Sequence, residues 1–130
     1  MAKFASPEFL FGSAVAFKAA VNKMVLLKAY TAGDVYATVQ ANNIGEVAVV
    51  STDFTLAVVA GGDCTMTGPS GKSTTATVWS GTSPNLHIAF IDSIAGKLWW
   101  VTDEISDQVV IVGNTVNFPS GLTYTFKQPV

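Results

Sequence analysis

The sequence predicts a mainly β protein: a β-sandwich of seven to nine short antiparallel strands, immunoglobulin-like or jelly-roll-like, with one N-terminal α-helix. Short apolar runs recur roughly every 8–12 residues between turns that contain Gly, Asp and Asn. Strands do not alternate with helices along the chain, which argues against a doubly wound α/β sheet. A helix-start signal stands near the N-terminus, ahead of the first strand-like run.

The N-terminal helix is predicted from a capping pattern and a spacing. Ser6 suits the N-cap, Pro7 the first helical position, and Glu8 the first turn, where its charge complements the helix dipole. Apolar residues at helical spacing follow, namely Leu10, Ala14, Phe17 and Val21. We expect a helix over Pro7–Asn22, a region 1–23 made of a loose arm and this helix, and a β-sandwich domain over 24–130.

The most apolar stretch, Asn85–Val112, predicts three consecutive strands at Leu86–Ile91, Lys97–Thr102 and Gln108–Val112. The first two carry apolar side chains on both faces. A strand of that kind must be covered on both sides, so both are expected in the middle of a sheet inside a packed or assembled body and not at its edge.

The remaining predicted strands are separated by the same kinds of turn residues. They are predicted at Met24–Tyr30, Glu46–Val50, Phe54–Ala60, Cys64–Thr67, Thr74–Ser80, Val116–Phe118 and Leu122–Lys127. The pattern over Val35–Asn42 leaves a strand and a short helix equally open.

Composition narrows the function classes. The 130 residues are 49% apolar and only 12% charged, which predicts a neutral surface suited to a protein docked against others. The net charge is −2 and Arg is absent, which disfavours a nucleic-acid partner. No apolar run approaches the ~18 residues of a membrane span, and the first residues lack a secretory pattern, so we expect synthesis in a cytoplasm and no membrane partner.

Three candidate chemical motifs point to ordinary structural roles. The run Gly68–Thr74 (GPSGKST) resembles a phosphate-binding loop, but Met66 stands where its first Gly belongs and strand-like residues follow, so a turn is expected. His87, the single histidine, sits in an apolar strand without a nucleophile elbow and is expected to be a hydrogen-bonded core or interface residue. The single Cys64 is expected to pack as a small apolar residue, with an intermolecular disulfide as the alternative.

The acidic run Asp103, Glu104 and Asp107 lacks the spacing of a calcium loop, so a solvated turn is expected and an ion site is the alternative. We expect neither a metal nor a cofactor. Trp99 and Trp100 are adjacent on a strand and are expected to point to opposite faces, with at least one of them in the core and the other at an interface or a binding surface. The N-terminal segment holds more aromatic side chains than one face of a short helix can bury. The predicted interface residues are Phe4, Phe9, Phe11, Phe17 and Trp99.

Several stretches resemble a family of small structural proteins of tailed bacteriophages. These stretches are residues 24–47 (MVLLKAYTAGDVYATVQANNIGEV), 51–57 (STDFTLA), 84–92 (PNLHIAFID), 98–104 (LWWVTDE), 113–119 (GNTVNFP) and the closing QPV. The resemblance covers about Met24–Val130. Its motifs are structural, and it supplies no catalytic residue.

The resemblance implies a non-enzymatic virion protein, most specifically a capsid decoration (cement) protein on the head surface. Its partners would be the major capsid protein and other copies of itself, as a dimer or trimer. One alternative is a tail- or fibre-associated adhesion module, which requires an exposed Trp or Tyr patch. Another is a small hydrolase that uses His87. We further expect residues 1–20 to contact a neighbouring copy or the shell, and the β-domain to fold without them.

Overall fold

In a computed structural model, which describes residues 3–103 and 106–130, the chain is mainly β and sandwich-like, as the sequence predicted. The described residues form three α-helices: α1 (Pro7–Leu10), α2 (Gly12–Ala20) and α3 (Tyr36–Ala41). They form nine strands: β1 (Lys23–Leu27), β2 (Asn43–Ala48), β3 (Thr55–Val58), β4 (Cys64–Thr67), β5 (Ser73–Thr75), β6 (His87–Asp92), β7 (Lys97–Asp103), β8 (Thr115–Asn117) and β9 (Thr123–Phe126). All pairings are antiparallel, in sheets ordered β2-β1-β6-β7, β3-β4-β9 and β5-β8.

The N-terminal helix begins as predicted but does not continue as predicted. Ser6 caps α1 by accepting a hydrogen bond from the Phe9 backbone N–H (3.2 Å). The expected single helix over Pro7–Asn22 is wrong, because the chain breaks at Phe11 and ends its second helix at Ala20. Gly12 directly after the break disfavours a continuous helix. Phe11 sits at this corner and packs edge-on against Phe126, with ring centroids 6.2 Å apart.

Strand β6 lies inside the four-stranded sheet and is covered on both faces, which confirms the expectation from its two apolar faces. Ile88 and Phe90 point into the main core. Ala89 and Ile91 point into a second, smaller cluster that includes Val39 of α3. The stretch Val35–Asn42, for which the sequence left a strand and a short helix open, contains helix α3, and this helix covers the second face of the sheet. The expectation of a place in the middle of the sheet is wrong for β7, which is the edge strand of this sheet: its apolar side chains are covered by the two hydrophobic clusters on either face, and this needs no further strand beside it.

The main core joins the four-stranded sheet, the β3-β4-β9 sheet and α2. Phe17 of α2 is only 4% exposed and packs edge-on against Phe54 (4.9 Å between ring centroids) and Phe90 (5.9 Å). The helix and the strands thus share one hydrophobic core. Independent folding of the β-domain remains a prediction, and it would have to proceed without this ring.

Two predicted strands are wrong over most of their length. Thr74–Ser80 is a strand only at its start, in β5, and Gln108–Val112 is not a strand. After β5, the Thr77 N–H donates to the Ile44 carbonyl of β2 (2.9 Å) instead of extending the pair with β8. In the second segment, the Asn114 N–H donates to the Ile111 carbonyl (3.0 Å) and closes a turn. Gly113 lies in this turn at φ 92°, a conformation that glycine adopts without strain. The other strands differ from prediction mainly at their ends.

Candidate functional site

A bulge in β7 places the two adjacent tryptophans on one side of the sheet. Trp100 pairs with Phe90 and Leu98 pairs with Ile91, so Trp99 is an extra residue between two consecutive pairs. Such a bulge interrupts the strict alternation of faces. Both indoles pack on Phe17, at centroid distances of 6.0 Å and 6.3 Å. The expectation that Trp99 and Trp100 point to opposite faces is therefore wrong.

These indoles line an aromatic pocket of about 200 Å³ between α2 and the edge strands β7 and β9. Trp100 stacks on Phe90 (4.9 Å, 14° between planes) and meets Tyr124 edge-on at 5.9 Å. The lining residues are Ser13, Ala14, Phe17, Met66, Trp99, Trp100, Tyr124 and Phe126. An apolar, aromatic lining with few polar groups suits an apolar group better than a polar one.

Trp99 contributes two polar features to this region. Lys97 Nζ lies 4.2 Å from the centroid of the Trp99 ring, in a cation–π arrangement. Trp99 Nε1 is buried and has no hydrogen-bond partner among the described residues. An unpaired buried donor costs free energy, so this indole is held by its packing rather than by its N–H.

The N-terminal arm is held at a defined point by the other end of the chain. The Gln128 side chain accepts a hydrogen bond from the Ala5 N–H (2.9 Å) and donates one back to the Ala5 carbonyl (2.8 Å). Its amide also donates to the Gly62 carbonyl (2.9 Å), and its backbone N–H donates to Asp63 Oδ1 (2.7 Å). The Gln128 amide thus hydrogen-bonds to the arm in both directions, as a neighbouring strand would. It fixes the position of the backbone between Phe4 and Phe9.

The five predicted interface residues divide into three groups. Phe4 and Phe9 flank the anchored Ala5–Glu8 stretch and are 75% and 79% exposed. Phe11 and Trp99 are half-buried and pack against the main core. Phe17 is 4% exposed and belongs to the core of its own chain, so it offers almost no surface to a partner.

His87 is oriented by three neighbours. Its Nδ1 lies 2.9 Å from the Asn85 carbonyl oxygen, so this nitrogen carries the proton and donates. Nε2 lies 3.8 Å from Asp103 Oδ1, and the ring lies 5.5 Å from that of Tyr30. The described contacts of His87 include no serine, threonine or cysteine that a base could activate.

The acidic stretch does not converge on one point. Asp107 Oδ1 accepts a hydrogen bond from the Leu86 N–H (2.8 Å), while Asp103 faces His87. Glu104 lies outside the described residues. Among residues 3–103 and 106–130, no group of three or more His, Cys, Asp or Glu side chains is placed to hold a metal ion.

Cys64 and the Gly68–Thr74 run have the structural roles expected of them. Cys64 is fully buried in β4. Burial raises the pKa of its thiol, and the nearby carboxylates of Asp63 and Glu8 add to the rise. The Gly68–Thr74 run leads from β4 directly into strand β5, so it is a turn between strands and opens no helix.

Sequence reasoning missed several residues of this surface. Trp100, Tyr124 and Phe126 join the pocket only because β7 and β9 become adjacent edges of two sheets. Tyr124 and Phe126 do alternate with threonines, a signal that placed them on one face of a strand. No local pattern in the sequence predicts the role of Gln128, because its hydrogen-bond partner Ala5 is 123 positions away.

Comparison with known proteins identifies no relative. No family model, curated protein or solved structure matches the chain. None of the helices in the described ranges combines the length and the apolar character that crossing a bilayer requires.

Proposed function

We propose that this chain is a non-enzymatic structural protein of a tailed-bacteriophage virion, most specifically a capsid decoration (cement) protein that binds and stabilises the shell of major capsid protein. Two considerations support the proposal. One is the resemblance of residues 24–130 to small phage structural proteins. The other is the geometry of the N-terminal arm.

The exposed phenylalanines of the arm are the observation that carries the proposal. Phe4 and Phe9 are 75% and 79% exposed although Gln128 holds the backbone between them in place. Burying a side chain of this size is worth about 1.5–3 kcal/mol, which a monomer leaves unused. Anchoring the arm beforehand lowers the entropic cost of docking, because few residues must be ordered on binding.

The aromatic pocket offers a second contact of the same kind. Tyr124 in the pocket lining is 48% exposed. Phe126, also in the lining, packs on Phe11 at the corner between α1 and α2. An aromatic patch among few charges is typical of an interface core. A cement protein needs contacts of this type with neighbouring capsid subunits and needs no reactive group.

Immunogold labelling of virions tests the proposal. A phage that encodes this chain is labelled with an antibody against it, and a phage in which the gene is deleted serves as the control. We expect regular labelling of the head. Absence of label from intact virions would refute a virion role.

A tail- or fibre-associated adhesion module is the second candidate. One observation favours it: Trp79 and Tyr124 are 51% and 48% exposed, and exposed aromatic rings are what such a module needs to stack on a sugar. The same labelling experiment separates the two, because label confined to the tail would replace the first proposal by the second.

A further inference from the structure

Strand β9 has backbone groups that point away from its own sheet. It is an edge strand of the β3-β4-β9 sheet, and the Gly68 N–H donates to the Leu122 carbonyl (2.7 Å) just before the strand begins. In an antiparallel pair, successive residues alternate between bonding to the partner strand and pointing away from it. The Tyr124 backbone therefore bonds to β4, whereas the N–H and C=O groups of Thr123 and Thr125 point to the free side. Within the described residues, no group hydrogen-bonds to them there.

The free edge of β9 lacks the features that usually block the addition of a further strand. Such features are charged side chains, prolines and bulges. The strand (TYTF) has neither charge nor proline, and its register with β4 is regular. The other edge strand that borders the aromatic pocket, β7, carries Lys97, Asp103 and the bulge at Trp99. Of these two edges, β9 is therefore the one open to a further strand.

The aromatic pocket lies beside this edge. Tyr124 and Phe126 line it from β9, and Trp99 and Trp100 line it from β7. An apolar cavity of ~150 Å³ is large enough for benzene. The volume of about 200 Å³ therefore gives the pocket room for one apolar side chain.

A strand added to β9 reaches both features at once. Paired antiparallel, it exchanges hydrogen bonds with Thr123 and Thr125, and the residue between these two bonded positions lies opposite Tyr124. Directly opposite side chains lie on the same face of a sheet, so the side chain of that middle residue points to the pocket. A small apolar molecule would fill the pocket but would leave the edge of β9 unpaired.

We propose that an extended segment of the major capsid protein adds to β9 as a fourth strand of its sheet and inserts one apolar side chain into the aromatic pocket. This inference rests on the proposed function and names the way in which the shell is bound. Backbone hydrogen bonds supply the affinity of such a contact, and the pocket selects the side chain. Residues 108–126 contain no Asp, Glu, Lys or Arg, so the segment is expected to be uncharged where it meets β9.

Continuity with the N-terminal arm favours the shell as the partner. Gln128, two residues beyond β9, holds the arm from which Phe4 and Phe9 are proposed to dock. Phe126 of β9 packs on Phe11 at the end of the same arm. The edge of β9 and the exposed phenylalanines therefore belong to adjoining parts of the molecule, which one partner surface can cover.

Thr125→Pro tests the contact, because it removes an outward N–H without removing a hydrogen bond to β4. Proline is tolerated on an edge strand when its missing N–H faces away from the neighbouring strand. Thr125→Val is the matched control, since it changes the same side chain and keeps the N–H. Both variants are mixed with shells assembled from the major capsid protein of a phage that encodes this chain, and co-sedimentation measures the dissociation constant. We expect this constant to be at least about tenfold higher for Thr125→Pro than for Thr125→Val.

Hydrogen exchange of the native protein gives a readout that needs no variant. Shell binding should slow exchange at the Thr123 and Thr125 N–H groups at least about tenfold. Leu56 is the internal control at the opposite edge of the same sheet. The Val59 N–H donates to the Asp63 carbonyl (2.8 Å), so by the same alternation the Leu56 N–H points away from β4, and its exchange should not change.

The outcomes separate this inference from the proposed function. A native protein that binds shells while exchange at Thr123 and Thr125 is unchanged would overturn the inference and leave the capsid role standing. Equal binding of folded Thr125→Pro and Thr125→Val, with circular dichroism as the check of folding, would do the same. Slowed exchange at both residues in the concentrated chain without shells would place a second copy at the edge and would also overturn the inference. A native protein that binds no shells would overturn the capsid role and the inference together.

Discussion

Phe17 is the residue at which α2, the four-stranded sheet and the aromatic pocket meet. Its ring contacts Phe54, Phe90, Trp99 and Trp100, with centroid distances from 4.9 Å to 6.3 Å, and only 4% of the residue is exposed. A buried Phe→Ala replacement costs about 3–5 kcal/mol from lost transfer free energy and the cavity left behind. The new cavity would open onto the existing pocket of about 200 Å³, where neighbouring rings can relax. We therefore expect Phe17→Ala to lower the free energy of unfolding by about 3–4 kcal/mol.

Urea unfolding followed by tryptophan fluorescence measures this loss, because two of the three indoles lie against Phe17. Phe9→Ala is the matched control: it makes the same change on the same segment at a residue that is 79% exposed, so an effect within about 0.5 kcal/mol is expected. A loss below about 1 kcal/mol for Phe17→Ala would refute the assignment of α2 to the core. The expected loss is a large share of a typical domain stability of about 5–15 kcal/mol, so deleting residues 1–20 should destabilise the β-domain strongly.

Three further predictions follow from single contacts. Gln128→Ala should cost about 1–2 kcal/mol, because the side-chain hydrogen bonds to Ala5 and Gly62 are lost, and hydrogen exchange at the Ala5 N–H, which donates to Gln128 Oε1, should accelerate; unchanged exchange would contradict the anchor. Gly62→Ala should lower the free energy of unfolding more than Gly61→Ala does in chemical denaturation. Both residues have a similar positive φ (87° at Gly61, 85° at Gly62), but an added Cβ meets Gln128 Nε2 at 3.1 Å only at Gly62. Equal losses in the two variants would contradict this packing. The Cys64 thiol should react with a thiol reagent only on unfolding. Because the pKa of this thiol is raised in the folded state, its contribution to the free energy of unfolding should be intact below pH 9.0, the ordinary pKa of a thiol, and should decline as the pH rises above that value. The Cys64→Ala variant should lack that decline.

Local patterns in the sequence predicted the parts of the fold that depend on neighbouring residues. The Ser6 cap, the two-faced burial of β6 and the turn that replaces a phosphate loop at Gly68–Thr74 all follow from short-range rules, and the structure has them. Patterns of apolar residues also predicted most strands to within a few positions, with the usual uncertainty at their ends.

The features that build the candidate site depend on contacts that no local pattern encodes. The bulge at Trp99 breaks the two-residue period from which opposite faces were predicted. The turn at Ile111–Asn114 overrides a run of β-branched residues that would otherwise extend a strand. The amide of Gln128 and the arm at Ala5 meet only once the whole chain has folded.

Co-sedimentation with capsid shells tests the central claim most directly. Shells assembled from the major capsid protein of a phage that encodes this chain, but lacking the chain itself, are mixed with the native protein, with the double variant Phe4→Ser/Phe9→Ser, and with Ile94→Ser as the exposed control. We expect saturable binding of the native protein and of Ile94→Ser, at a fixed ratio to capsid subunits, and a strong loss of binding for the double variant. A native protein that remains in the supernatant at all concentrations would contradict the claim that this chain binds the capsid shell.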